Sequence, residues 1–211
     1  MALMPRVSPH RARRRTAVLA VAVLACLAAA CSRVVAPDET ALNELGFSWT
    51  QLQALRALEP TQPEIDELVK ARRARVEDAA CVELVRNARA RGGRFAAGDA
   101  VAALRRSGAA DATIVEIDRL GRLAADAGEL QAMRLAGFSD EALLELARAR
   151  AAGEPALGGP SLAALRNAGV AEGTLLELLR RRVPDSEAQA ILALRRRGTR
   201  DAEILRRYSG P

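Results

Sequence analysis

From residue 39 onward, apolar residues return every three or four positions, and Arg, Glu and Asp fill the places between them. That period is the mark of amphipathic α-helices. The helix-forming residues Ala, Leu, Arg and Glu dominate, aromatic residues are scarce, and no alternating β-branched run suggests a strand. The pattern predicts an all-α chain built of tandem helical hairpin repeats over residues 39–209.

Self-comparison aligns five segments: Leu52–Leu68, Val101–Ile117, Leu130–Leu146, Leu162–Leu178 and Ile191–Arg207. Each reads apolar-x-x-apolar-Arg-x-x-Gly, then a turn, then a second apolar run. The turn residue is Gly108, Gly137, Gly169 and Gly198, with Glu59-Pro60 in its place in the first segment. Ile65, Ile114, Leu143, Leu175 and Ile204 each lie six residues beyond it. A partial copy, Gly46-Phe47-Ser48 leading to Leu52, comes before them. The expected unit is a helical hairpin closed by a left-handed residue. Leu or Met four residues before the Gly faces inward, and Ala109, Phe138 or Val170 packs back on the finished helix. Asp111, Asp140, Glu172 and Asp201 are expected to cap the helices they begin. Thr61-Gln62-Pro63-Glu64 and Ser186-Glu187-Ala188-Gln189 have the form of capping boxes. Gly153–Pro160 reads as a loop. Glu64–Arg91 holds no breaker and reads as one long helix ended by Gly92-Gly93.

Leu45-Gly46-Phe47-Ser48 and Ala136-Gly137-Phe138-Ser139 resemble the Gly-Phe loop of ubiquitin-associated domains. The resemblance covers a few residues per copy and implies small helical modules; it carries no ubiquitin binding with it.

The N-terminus follows other rules. Arg6, Arg11, Arg13, Arg14 and Arg15 precede an uncharged run, Thr16–Ala30, that ends at Cys31-Ser32. A basic segment, a short apolar segment and small residues describe a signal peptide. The run is about 15 residues, where a membrane-spanning helix takes roughly 20. Leu27-Ala28-Ala29-Ala30-Cys31 resembles the lipobox of bacterial lipoproteins, although the family prefers Leu where Ala28 stands; Val23-Leu24-Ala25-Cys26 is a second match. The resemblance implies residues 1–30 as a cleaved signal peptide and Cys31 as the first mature, lipidated residue. It also implies a short linker over 31–38 and, with Ser32 rather than Asp next, sorting to the periplasmic face of the outer membrane.

Removing five arginines with the signal leaves 27 basic and 26 acidic residues, so the basic balance belongs mostly to export and no nucleic-acid partner is expected. Of the cysteines, Cys81 would remain alone and reads as a small buried residue. The one histidine, His10, lies in the signal segment, which removes histidine-based catalysis and histidine metal sites from the mature chain. Neither a phosphate loop, a cysteine cluster nor a calcium loop is present. No enzyme, cofactor or metal is expected.

Arg56, Arg105, Arg134, Arg166 and Arg195 recur at one place in the repeat, and Glu67, Glu116, Glu145 and Glu177 at another. Cross-hairpin ion pairing between the two sets is the structural expectation, and a repeated ligand-binding arginine the functional one. From Pro160 on, ten basic residues face six acidic ones. Within that excess, Arg181, Arg182, Arg196 and Arg197 are the candidate partner-binding residues. The expected function is that of an outer-membrane lipoprotein acting as an interaction or structural module of the cell envelope. Its partners would be the membrane, through lipid at Cys31, and an envelope protein. The alternative is a binder of anionic cell-wall polymer or lipid headgroups, with an envelope enzyme ranked behind it.

Overall fold

The computed structural model describes residues 37–208; the signal segment, both lipobox matches, Cys26 and Cys31 lie outside them. Twelve α-helices are present among the described residues, and no strand. They are α1 (Thr40–Glu44), α2 (Trp49–Arg56), α3 (Gln62–Arg73), α4 (Asp78–Ala90), α5 (Gly98–Arg106), α6 (Asp111–Arg119), α7 (Leu123–Leu135), α8 (Asp140–Ala151), α9 (Gly159–Asn167), α10 (Glu172–Arg180), α11 (Ala188–Arg196) and α12 (Asp201–Arg207).

Each helix packs on the helix two places along the chain. One layer is therefore α1-α3-α5-α7-α9-α11 and the other α2-α4-α6-α8-α10-α12. The seam between them holds the core. Leu104, Met133, Leu165 and Leu194 are buried there, as are the second-helix residues Ile114, Leu143, Leu175 and Ile204. Short helices of this kind are marginal alone, so stacking on both neighbours provides most of their stability.

The hairpin turn follows from local chemistry. At Gly137 (φ +80°) the Phe138 N–H donates to the Met133 carbonyl at 3.2 Å and the Gly137 N–H to Arg134 at 3.0 Å. This paired closure caps the helix end and draws Phe138 into the core. The equivalent bonds close Gly46, Gly108, Gly169 and Gly198.

The phase of the repeat differs from the sequence expectation. Glu64–Arg91 is two helices, α3 and α4, joined at Arg75, which adopts φ +65°. The Val76 N–H bonds the Ala71 carbonyl at 3.2 Å, so Arg75 stands where other hairpins have glycine. Six hairpins result, turning at Gly46, Arg75, Gly108, Gly137, Gly169 and Gly198, with spacings alternating between 29 and 32 or 33 residues. The segment Leu52–Leu68 straddles two hairpins, and its Glu59 (φ +48°) belongs to the connection between them. An unbroken helix over 64–91 would run about 40 Å and carry its apolar faces past the stack.

The six turns share one edge of the stack, here the turn edge; the α2–α3, α4–α5, α6–α7, α8–α9 and α10–α11 connections form the loop edge. Gly159 opens α9 because a Cβ there would sit 2.5 Å from the Glu129 carbonyl oxygen of α7. The α3 capping box forms, with the Glu64 carboxylate accepting the Thr61 N–H and Oγ1–H, both at 2.9 Å. The pattern at Ser186 does not form one. Residues Asp185–Glu187 are a 3-10 turn, in which Asp185 accepts the Gly158 N–H at 2.7 Å and Glu187 the Tyr208 hydroxyl at 3.0 Å.

Candidate functional site

The repeated charges are used first by the stack itself. Asp78, Asp111, Asp140, Glu172 and Asp201 each open an even-numbered helix, and of the five only Asp78 also accepts an N–H of its own helix, from Ala79 at 3.0 Å. Each reaches back one hairpin to the N-cap N–H of the preceding even helix: Ser48 (2.9 Å), Glu77 (2.7 Å), Ala110 (3.1 Å), Ser139 (2.8 Å) and Ala171 (2.9 Å). Every hairpin after the first thus satisfies a helix start on its neighbour.

The repeated arginine performs the complementary task at helix ends. Arg134 donates to the Phe138 carbonyl at 2.5 Å and to the Gly108 carbonyl of the previous turn at 2.6 Å. Arg72 joins Val76 to Leu45 in this way, and Arg195 joins Thr199 to Gly169. Arg105, Arg134, Arg166 and Arg195 also pair with the acid six residues on, at 3.1, 3.8, 3.7 and 3.1 Å. The expected pairing of these arginines with Glu116, Glu145 and Glu177 does not occur. Glu116 and Glu145 bind an arginine one turn along their own helix, Arg119 (2.7 Å) and Arg148 (4.0 Å), and Glu83 binds Arg86 likewise. Glu67 pairs with Lys70 at 2.8 Å, Glu177 with Arg181 at 2.8 Å, and Arg56 with Glu39 at 2.7 Å. In the first hairpin Asn43 and Trp49 occupy the arginine and acid positions, and Trp49 is exposed with the Arg56 guanidinium 5.1 Å from its ring.

The four candidate arginines do not share one patch. Arg181 and Arg182 follow α10 at the loop edge, whereas Arg196 and Arg197 end α11 at the turn edge. Arg181 is held by Glu177 and by the Leu205 carbonyl at 2.7 Å, and Arg182 by Glu154 at 2.6 Å. Arg196 and Arg197 are exposed and make no ion pair among the described residues. The same is true of Arg73, Arg75, Arg106 and Arg200 on the turn edge. Loop-edge arginines are mostly engaged, as Arg89, Arg91, Arg94, Arg122 and Arg150 illustrate.

One polar site escaped the sequence reading. On the loop edge a hollow of about 150 Å³ is lined by Arg91, Arg94, Phe95, Asp118, Gly121 and Leu123, among others. Asp118 is buried; its Oδ1 accepts Arg91 Nη2 at 3.0 Å, and its Oδ2 has no hydrogen-bond partner. Burial raises the Asp118 carboxyl above its ordinary value, and Arg91 with the nearby Asn87 side chain offsets only part of that. Arg91 was legible as a helix end before Gly92-Gly93, but its bond to Asp118, 27 residues on, was not. Asp118 itself was legible, since ten residues past the turn Val85, Ala147 and Leu179 are all buried and apolar.

Cys81 is fully buried, and burial pushes its thiol up to about 12, which leaves it inert. Among the described residues no helix is long and apolar enough to cross a membrane, and no cluster of His, Cys, Asp and Glu is placed to hold a metal ion. Compared with protein-family models, curated proteins and solved structures, the chain matches none. The fold defines it as an all-α helical-repeat protein.

Proposed function

We propose that the protein is a lipoprotein anchored through Cys31 at the periplasmic face of the outer membrane, where its helical repeats bind a partner by their surface. The observation that carries the binding reading is the division of the arginines between the two edges. The repeated Arg and Asp are consumed by the stack, while Arg73, Arg75, Arg106, Arg196, Arg197 and Arg200 project from the turn edge without ion pairs among the described residues. On that edge these arginines outnumber the exposed, unpaired Glu44 and Glu77, and the excess of positive charge raises the local potential and favours an acidic partner. Stacked hairpins suit such a role because they present one extended surface. An acidic envelope protein is the first reading. The second, an anionic polymer or lipid headgroup, is favoured by the spread of the same arginines over several hairpins.

The anchor and the surface are tested apart. Cys31→Ala should abolish lipid labelling and release the protein from the membrane; labelling and sorting like the parent would refute the anchor. Reversing Arg196, Arg197 and Arg200 to Glu should leave helicity intact and weaken capture of crosslinked envelope partners, most at low salt where screening is least. Sedimentation with purified cell wall, set beside protein capture, separates polymer from protein. Unchanged capture in both assays would remove the turn edge from the function.

A further inference from the structure

We propose that the turn edge binds an extended protein segment in which two acidic clusters are separated by an uncharged stretch that carries a large apolar side chain. The inference rests on the reading of that edge as the binding surface, and it names the partner by the pattern of its charges.

The free arginines of the edge fall into two groups. Arg73, Arg75 and Arg106 stand on the second and third hairpins, and Arg196, Arg197 and Arg200 on the last. One exposed acid accompanies each group, Glu77 the first and Glu203 the second, so both keep an excess of positive charge. Between them, the turns of the fourth and fifth hairpins offer no free charge among the described residues. Arg134 and Arg166 are held by Asp140 and Glu172, and Glu141 by Arg180. The exposed residues at those two turns are Leu135, Gly137, Asn167, Gly169 and Ala171.

Leu135 gives this middle its chemistry. The residue two before the turn is Glu44, Arg73, Arg106, Leu135, Asn167 and Arg196 in chain order, and all six are exposed. The position therefore faces solvent, and among the described residues only Leu135 and Trp49 are large, apolar and exposed. At 72% exposure Leu135 adds little to the core, and a glutamine would serve the helix as well. An apolar centre with a charged rim is the ordinary anatomy of a protein interface. Helix α7 packs between α5 and α9, and α9 on α11, so Leu135 lies one step along the layer from Arg106 and two from Arg196. Packed helices stand about 9 Å apart, which separates the arginine groups by roughly 27 Å. An extended chain advances about 3.3 Å per residue, so it reaches from one group to the other in about 8 residues. A polymer of evenly spaced anions would set charge against the uncharged middle and gain nothing from Leu135. Two acidic clusters and an apolar residue matched to this edge fix register and partner together.

The test is fluorescence anisotropy at low salt, with the full chain titrated into labelled probes. The first probe is a Ser/Gly peptide with two Asp-Asp pairs about 8 residues apart and a leucine about 3 residues after the first pair. The second holds the same residues with the four acids together, and the third is polyphosphate. The first peptide should bind saturably and about tenfold more tightly than the second. Leu135→Gln should weaken that binding about tenfold, as expected for losing one buried leucine, without lowering the melting midpoint or the affinity for polyphosphate. Equal binding of the two peptides, or full affinity in Leu135→Gln, would overturn the proposal. Polyphosphate binding more tightly than the first peptide would also overturn it, in favour of an anionic polymer. In each of these cases, binding lost on reversing Arg196, Arg197 and Arg200 to Glu would leave the turn edge as the binding surface. Failure of all three probes to bind would overturn both readings.

Discussion

Glu64 accepts six hydrogen bonds, and its replacement by glutamine tests how the first hairpins are held. Its carboxylate is buried and receives Arg89 at 2.6 and 2.8 Å, Arg94 at 3.1 Å, the Phe95 N–H at 3.0 Å and the Thr61 N–H at 2.9 Å. It thereby ties the start of α3 to the end of α4 and to the α4–α5 connection. Burial alone would raise its pKa, but Arg89 and the surrounding N–H groups outweigh that and hold it at about 2 instead of the ordinary 4.5. The difference corresponds to roughly 3 kcal/mol of preference for the ionised form. Glu64→Gln removes that charge and turns an amide NH₂ toward groups that are themselves donors. The expected loss is about 3 kcal/mol, near the range for breaking one partner of a buried pair. Urea unfolding at neutral pH should show it as a lower midpoint with an unchanged slope. The folded pKa lies below the unfolded one, so this stabilisation is fully present above pH 4.5 and is lost as the pH falls toward about 2. Acid titration of the parent should therefore contain a stability loss that the glutamine variant lacks. A loss below about 1 kcal/mol, or identical acid profiles, would show that the bonds to Glu64 do not bear on stability.

Two further substitutions test the backbone reading. Arg75→Gly should stabilise the protein by about 1 kcal/mol, because a left-handed conformation disfavours any side chain; lower thermal stability would mean the arginine side chain holds the turn. Gly159→Ala should cost about 1–3 kcal/mol through collision with the Glu129 carbonyl, whereas Gly173→Ala, exposed in α10 with nothing within 4 Å of the new methyl, should gain about 0.5–1 kcal/mol. Equal effects at the two glycines, measured by chemical denaturation, would refute the close-approach argument.

The hairpin with a left-handed closing residue was legible because its determinants lie within a few residues of one another. Gly137 closes on Met133, Phe138 folds back onto the same helix, and Leu143 follows at a fixed distance on the next. Local periodicity likewise fixed the all-α class and the buried faces of α5 to α12. Tertiary structure decided whatever depends on contacts about 30 residues apart. The α3–α4 turn has no local breaker; Arg75 is held there by Arg72 bridging Val76 to Leu45 and by Asp111 taking the Glu77 N–H. The acids were recognisable as capping residues, but only the stack shows that each caps its neighbour's helix. The reason is geometric, since stacking brings each N1 carboxylate within hydrogen-bond reach of the preceding helix start in its layer. The arginine clusters looked continuous along the chain, yet α10 and α11 lead to opposite edges, so neighbours in sequence become separate surfaces. Charge pattern alone shows which residues are polar; the direction of each helix determines which of them meet.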